Sequence, residues 1–414
     1  MKMGVNTEIA FTYLISRKKQ TLVAALGVTF GISMFIFMNS LITGTNEYSE
    51  KAMLSATPHI RLYKDHAMSS ASLLDNYLGR QTVNLIVNPQ LVPDDNRIDN
   101  PEAVMQLLKR NQLITAMSSQ VSANVLYSHG GVQENGNLQG VDILQQDKMF
   151  DISSTLVSGS VKALDNNPGS ILIGVGLAER LNLQMGDHIN ITTSQGIVKS
   201  LQVAGIFKTT IKSIDNARSY CHASAVQQLL QRDRAYITDI FINIRDHHQA
   251  PAIGRQLEQL TGFTAESWQS NNETALAGQK IRNIIANSVV ITILIVAGFG
   301  IYNILNMVIY EKIREIAILK ATGFQGKDVI GIFIRQALFI GMIGAIAGMV
   351  FGWLISLLVS HVYIGAGNVT YLPVTFRIRH YVQGGLFGIA TSFFAGYIPA
   401  LRASKVDPVQ IIRG

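Results

Sequence analysis

Four uncharged apolar runs divide the chain: residues 21–42, 284–309, 336–360 and 381–400. About 20 residues at 1.5 Å rise cover a hydrocarbon core of about 30 Å, so each run is expected to cross a membrane as a helix. The first is too long for the 7–15-residue core of a cleavable signal, and no small-x-small site follows it, so it reads as a retained span. From 43 to 280 the pattern changes to short alternating stretches separated by turns, and nothing there is long and apolar enough to cross. Strands are expected at His59–Tyr63, Gln120–Leu126, Ser170–Ile173, His188–Thr193, Val198–Phe207 and Thr238–Ile244. Helices are expected at Pro101–Arg110, Gly176–Leu181, Ala223–Arg232 and Ala252–Thr261, the first with Asn100 as N-cap and Pro101 at its first position. The polar stretch from about Asp65 to Asp99 reads as loop. The fold class is thus an α-helical membrane protein of four spans, with a large α+β domain inserted between the first two.

The connecting segments are short and basic. Residues 1–20 read as an interfacial helix ending in Arg17, Lys18 and Lys19. Residues 310–330 join spans two and three and carry Lys312, Arg314, Lys320 and Lys327, a cluster that marks the cytoplasmic side. Helical spacing there gathers Ile316, Leu319 and Ala317 or Ala321 into one apolar patch, with Glu311, Arg314, Glu315 and Lys320 around it. The helix of span two is expected to continue into this segment. The link at 361–380 holds Arg377 and Arg379, which partly oppose the count, but the three inner segments carry many more basic residues. Both termini, including the tail 401–414, are therefore expected in the cytoplasm.

Small residues line the spans. Gly27 and Gly31 lie on one face of the first; Gly344, Gly348 and Gly352 follow one another at four-residue intervals in the third; Gly384, Gly388, Ser392 and Gly396 repeat the device in the fourth. Such stripes let helices pack backbone to backbone. Pro399 is expected to end or kink the fourth span, and Asp407-Pro408 to cap a new turn. Met34, Phe35, Phe37 and Met38 form an adaptable apolar wall suited to lipid or acyl chains, and equally an ordinary lipid-facing surface.

Composition agrees with this class. Of 414 residues 48% are hydrophobic and only 15% charged, where a soluble chain carries about a quarter charged. The mean hydropathy is +0.25. The net charge of +7 sits at membrane edges and calls for anionic lipid, not nucleic acid. A single cysteine, Cys221, allows no intrachain disulfide and reads as filler.

Enzyme chemistry finds no constellation. GFQGKD at 323–328 lacks the first glycine of a Walker A, with Ala321 in its place, and has Asp328 where Ser or Thr follows the lysine. Gly174-x-Gly176 lacks the third glycine of a dinucleotide fingerprint, with Glu179 there. Asp246, His247 and His248 form a polar trio, but adjacent histidines on a helix or strand point apart, so the trio is expected to be solvated and no metal site is assigned. The spans lack the central charges that ion and proton carriers use.

REIAILKATGF at 314–324 resembles the segment after the second span of FtsX-like (type VII) ABC transporter permeases, and YIPALRASKVDPVQIIRG at 397–414 resembles their C-terminal signature. ATPHIRLY at 56–63, SILIGVGLAERLNLQMGDHINI at 170–191, VAGIF at 203–207 and SAVQQLL at 224–230 resemble the periplasmic domain of Lol-type lipoprotein-releasing permeases (LolC/LolE), with MacB-type permeases as relatives. The resemblance implies a bacterial inner-membrane protein whose 43–280 domain is a periplasmic MacB-like core of two subdomains. It implies a coupling helix to an ATPase built from Glu311, Arg314, Glu315, Ile316, Ala317, Ile318, Leu319, Lys320 and Gly323, and a signature of Pro399, Arg402, Asp407 and Pro408. Implied partners are two separate ATPase chains that hold ATP and Mg, a second permease chain, a periplasmic carrier and its lipoprotein. The chain itself would be a non-catalytic subunit without cofactor. The stretch 65–99 and the lack of a recognisable carrier-binding hook depart from the Lol pattern. Two other roles stay open within the resemblance: MacB-like efflux of drugs, peptides or toxins with an adaptor, although MacB carries its ATPase on the same chain, and an FtsX-like transducer that activates a cell-wall hydrolase.

Overall fold

The structure, a computed structural model, describes residues 5–65, 96–366 and 369–413, so the loop expected at 65–99 lies almost wholly outside the described residues. The chain divides into two compact units, residues 1–49 with 277–414 and residues 50–276.

The first unit is helical. Its elements in order are α1 (Val5–Ser16), α2 (Lys18–Leu54), α3 (Glu273–Glu311), α4 (Ile313–Ala321), α5 (Gly326–Ser360), α6 (Ile378–Ser404) and α7 (Pro408–Arg413). Among the described residues four helices, α2, α3, α5 and α6, are long and apolar enough to cross a membrane. The 37 residues of α2 and 39 of α3 make rods of about 55 and 58 Å, well beyond the hydrocarbon thickness, so the expected spans at 21–42 and 284–309 are only parts of longer helices. Between 361 and 380, expected as a plain link, Tyr363–Ala366 pairs with Val369–Tyr371 as a hairpin. The chain beyond it crosses α2 closely. Thr375 donates its amide to the Ser40 carbonyl at 3.1 Å, and the Pro373 backbone lies where a side chain on Gly44 would be.

Three local expectations are corrected. Helix α3 runs only two residues into the connecting segment: it ends at Glu311, Lys312 leaves helical geometry (φ −98°, ψ 9°), and α4 is a separate helix of nine residues. Residues 326–330 belong to α5, whose start is fixed by a capping box between Gln325 and Asp328. Pro399 neither ends α6 nor stands at its edge; the helix continues to Ser404 with Pro399 buried inside it, because the surrounding helices stabilise the turn that loses one hydrogen bond.

The glycine stripes face the first span. A side chain on Gly344, Gly348 or Gly352 would meet the Cβ atoms of Val28, Ile32 and Ile36 at 2.6, 2.8 and 3.0 Å. Gly384 and Gly388 also abut Ile32 and Ile36. Spans three and four touch each other at Gly341–Ser392 and Gly396–Ala337. The two striped helices thus pack on each other, as their stripes allow, and both also close on α2 as a ridge. Gly31 meets Ala297 of α3 at 3.5 Å, but Gly27 has nothing within 4 Å and packs on no helix.

Among the described residues the second unit is built on a ten-stranded sheet: β1 (Ile60–Tyr63), β2 (Ile114–His129), β3 (Val132–Val141), β4 (Leu156–Gly159), β5 (Ser170–Gly174), β6 (His188–Thr193), β7 (Val198–Phe207), β8 (Arg218–His222), β9 (Asp239–Ile244) and β10 (Thr264–Ser267). The path β2-β3-β8-β5-β7-β6 returns to β2, so six strands close on themselves. Inside lie Val121, Val125, Tyr127, Ile171, Ile189 and Leu201, large side chains that fill a small closed sheet. The other limb, β10-β1-β9, joins β2 by its first half, at Ile114–Gln120, and builds a separate core with Ile60, Leu62, Ile242, Leu257 and Trp268. One long strand thus serves two cores. Gly174, excluded above with Gly176 as a nucleotide loop, sits where the Asp215 backbone approaches too closely for a side chain, and Gly176 sits against the Asn216 side chain. Asn100 precedes the helix Pro101–Lys109, but its backbone is left-handed (φ 49°) and its side chain makes no capping bond.

Candidate coupling site and membrane groove

The two sequence signatures come together in the helical unit. Helix α4 packs against α7, and the Lys320 ammonium donates to the carbonyls of Ser404 and Val406 at 3.0 and 2.6 Å, satisfying acceptors left free where α6 ends. Asp407 accepts the Val409 amide at 2.9 Å and so caps α7, with Pro408 at its first position. Gly323 closes α4 at φ 106°, a conformation only glycine adopts without strain.

Most of the expected coupling residues are engaged by their own chain. Ile316 and Ala317 are 1% and 0% exposed, and Ile316 clusters with Tyr13, Phe333, Ala400 and Ala403. Of the two alanines considered for the patch, Ala317 is inside and Ala321 outside, and Leu319 is only half-buried. Glu311 pairs with Arg17 at 2.8 Å. Glu315 pairs with Lys312 and accepts from the Tyr13 hydroxyl at 3.3 Å. Burial first, and then the Glu315 charge, push the Tyr13 phenol up to about 12, so it stays a donor. Helix α1, read from sequence only as an interfacial element, is thus the clamp that fixes α4. Arg314 and Ile318, one turn apart, are left facing outward, with Ile318 56% exposed. This leaves a cation beside an uncovered isoleucine on the exposed side of α4.

A groove of about 1020 Å³ opens along α2, α3 and α6. Phe35, Leu294 and Phe387 are among its apolar walls; Asn39, Asn287 and Gln383 line it toward one end, and Tyr302 with Arg402 toward the other. Arg402 donates to the Tyr302 hydroxyl at 2.9 Å. The 15 residues between Asn287 and Tyr302 span about 22 Å of helix, most of a hydrocarbon core. Of the apolar wall expected at Met34, Phe35, Phe37 and Met38, only Phe35 lines this groove. The residues that sequence reading missed are the three amides, and their signal was present: Asn39, Asn287 and Gln383 sit at the ends of otherwise apolar runs.

Elsewhere His248 is exposed, as expected, but the two neighbouring histidine rings do not diverge. His247 and His248 occupy a 3₁₀ turn, not a helix or strand, and their ring centroids are 4.2 Å apart with both Nε2 atoms toward Glu50. Cys221 is fully buried, and burial pushes its thiol up to about 12, which leaves it unreactive.

Comparison with known proteins agrees with both halves of this architecture. The family model for an FtsX-like permease C-terminal matches residues 287–408, and that for a MacB-like periplasmic core domain matches residues 21–260, more than half of the chain. The lipoprotein-releasing system transmembrane protein LolC of Neisseria meningitidis serogroup B is 22% identical over 98% of this chain and 98% of its own length. LolE of Haemophilus influenzae is 23% identical over the same shares. The macrolide export ATP-binding/permease protein MacB of Bordetella avium is 22% identical over 74% of this chain but only 48% of its own length. The chain belongs to the FtsX-like permeases with a MacB-like periplasmic core: it is a multi-pass inner-membrane ABC transporter permease of the LolC/LolE type, a non-catalytic subunit that works with partner ATPase subunits.

Proposed function

We propose that this permease carries the work of ATP hydrolysis from two cytoplasmic ATPase chains through α4 into the spans, and uses it to extract lipoproteins from the inner membrane and release them to a periplasmic carrier. A second permease chain, identical or related, completes the transporter, and ATP with Mg²⁺ is held by the ATPases. Both termini and α4 then lie in the cytoplasm, in keeping with Lys312, Arg314, Lys320 and Lys327 at that turn.

The observation that carries the coupling role is the outward pair Arg314 and Ile318 on a helix whose other side is fixed by α1, α6 and α7. A rigid helix with one free face passes displacement on, where a mobile one would absorb it. Lipoprotein as cargo is supported by relatives of that function matching almost end to end, and by a groove whose apolar walls suit acyl chains and whose amide-lined end suits a polar head.

The test is purification of the intact tagged chain in mild detergent, with mass spectrometry of what accompanies it. An ATPase together with triacylated lipoprotein is expected. An ATPase with an adaptor and an outer-membrane tunnel protein would move the cargo to efflux, and an ATPase with a cell-wall hydrolase would replace transport by signalling.

A further inference from the structure

Glu50 stands on the last turns of α2, and His247 with His248 forms the 3₁₀ turn between β9 and the helix Ala250–Thr261; all three belong to the sheet unit. One oxygen of the Glu50 carboxylate is 2.7 Å from His247 Nε2 and 3.7 Å from His248 Nε2. The donor atoms of the three side chains all lie within 4.8 Å of one another. The turn that aims the rings is pinned from two sides. Asp246 accepts the His248 amide at 3.0 Å, and the His247 carbonyl accepts from Trp268 Nε1 at 2.8 Å and Gln269 Nε2 at 3.1 Å.

We propose that Glu50, His247 and His248 form a binding site for a divalent transition ion of the zinc class, with three protein ligands and an open fourth position. Zinc takes imidazole nitrogen and carboxylate oxygen at about 2.0–2.2 Å, and a tetrahedron of that size separates its donors by about 3.3–3.5 Å. The carboxylate-to-ring distances of 2.7 and 3.7 Å bracket this value, so small rotations of the side chains admit the ion. Two nitrogen donors out of three disfavour calcium and magnesium, which are bound through oxygen. His248 is exposed, which gives the ion a route in from solvent. Once bound, the ion replaces the Glu50–His247 hydrogen bond and ties the end of α2 to the turn after β9 within the sheet unit. Metal binding then adds to the stability of that unit.

The experiment is calorimetric titration of Zn²⁺ into the intact chain, freed of any affinity tag and of metal, in detergent. One ion per chain is expected, with binding at least about tenfold weaker in His248→Ala and in Glu50→Ala and unchanged in His188→Ala, an exposed histidine on β6. Zinc should also raise the unfolding midpoint of the parent chain and not that of His248→Ala, whose own midpoint without metal reports that it folds. Absence of saturable binding, or binding of equal strength in His248→Ala, would overturn the site and leave an ordinary hydrogen-bonded Glu–His pair.

Discussion

In the closed sheet, Tyr127, Ile171, Ile189 and Leu201 fill the interior with large side chains contributed from four of its six strands. Between α2 and α5 the filling comes from one side only: Val28, Ile32 and Ile36 reach across to backbone because Gly344, Gly348 and Gly352 contribute no side chain. The first interior excludes water, so its stability scales with apolar area removed from solvent. The second lies among lipid tails as apolar as its own side chains, so what holds it is van der Waals fit. Removing volume is therefore the telling change in the first interior, and adding volume the telling change in the second.

That contrast can be broken or sharpened by substitution. The largest effect is expected from Ile171→Ala, which empties a fully buried site and should cost the sheet domain about 2–5 kcal/mol, read as a lower unfolding midpoint. Next is Gly348→Val. Its Cβ would meet Ile32 Cβ at 2.8 Å and the Thr29 carbonyl at 3.0 Å, so the helices must separate, at a cost of about 1–3 kcal/mol. The smallest is Gly27→Ala, where nothing lies within 4 Å and helix propensity alone acts, favouring alanine by about 0.5–1 kcal/mol. If Gly348→Val and Gly27→Ala shift the midpoint of the detergent-solubilised chain equally, the one-sided packing of α2 is wrong.

How much was legible follows from the same physics. Uncharged runs of 20 or more residues announced all four long helices, yet not their ends, since polar residues beyond the bilayer continue a helix without leaving a hydrophobic trace. Strands whose apolar positions alternate, such as His188–Thr193 and Val198–Phe207, were readable. β3, with the sequence VQENGNLQGV, was not: Gly136 and Gly140 are there because Ala217 and Val226 approach the backbone, and the alternation is lost. Glycine spacing gave the stripes but not α2 as a partner, because a stripe states that something comes close without stating what. The coupling segment was found by resemblance, yet the outward face within it depends on Tyr13, Arg17 and Ser404, residues distant in sequence. The shared direction of the two histidine rings was not legible, because adjacent side chains diverge in helices and strands whereas a 3₁₀ turn brings them round to one carboxylate.

Glu315 and Lys320 act within the chain, so replacing them would disturb the fold of this corner along with any docking. The most direct test of the central claim uses the free face alone: Arg314→Glu combined with Ile318→Asp, in the chain co-expressed with its ATPase. The account predicts an unchanged unfolding midpoint for the permease, loss of ATPase co-purification and loss of permease-stimulated ATP hydrolysis. Co-purification and stimulation at the parent level would contradict it, and would mean that the work of the ATPase enters this permease somewhere other than α4.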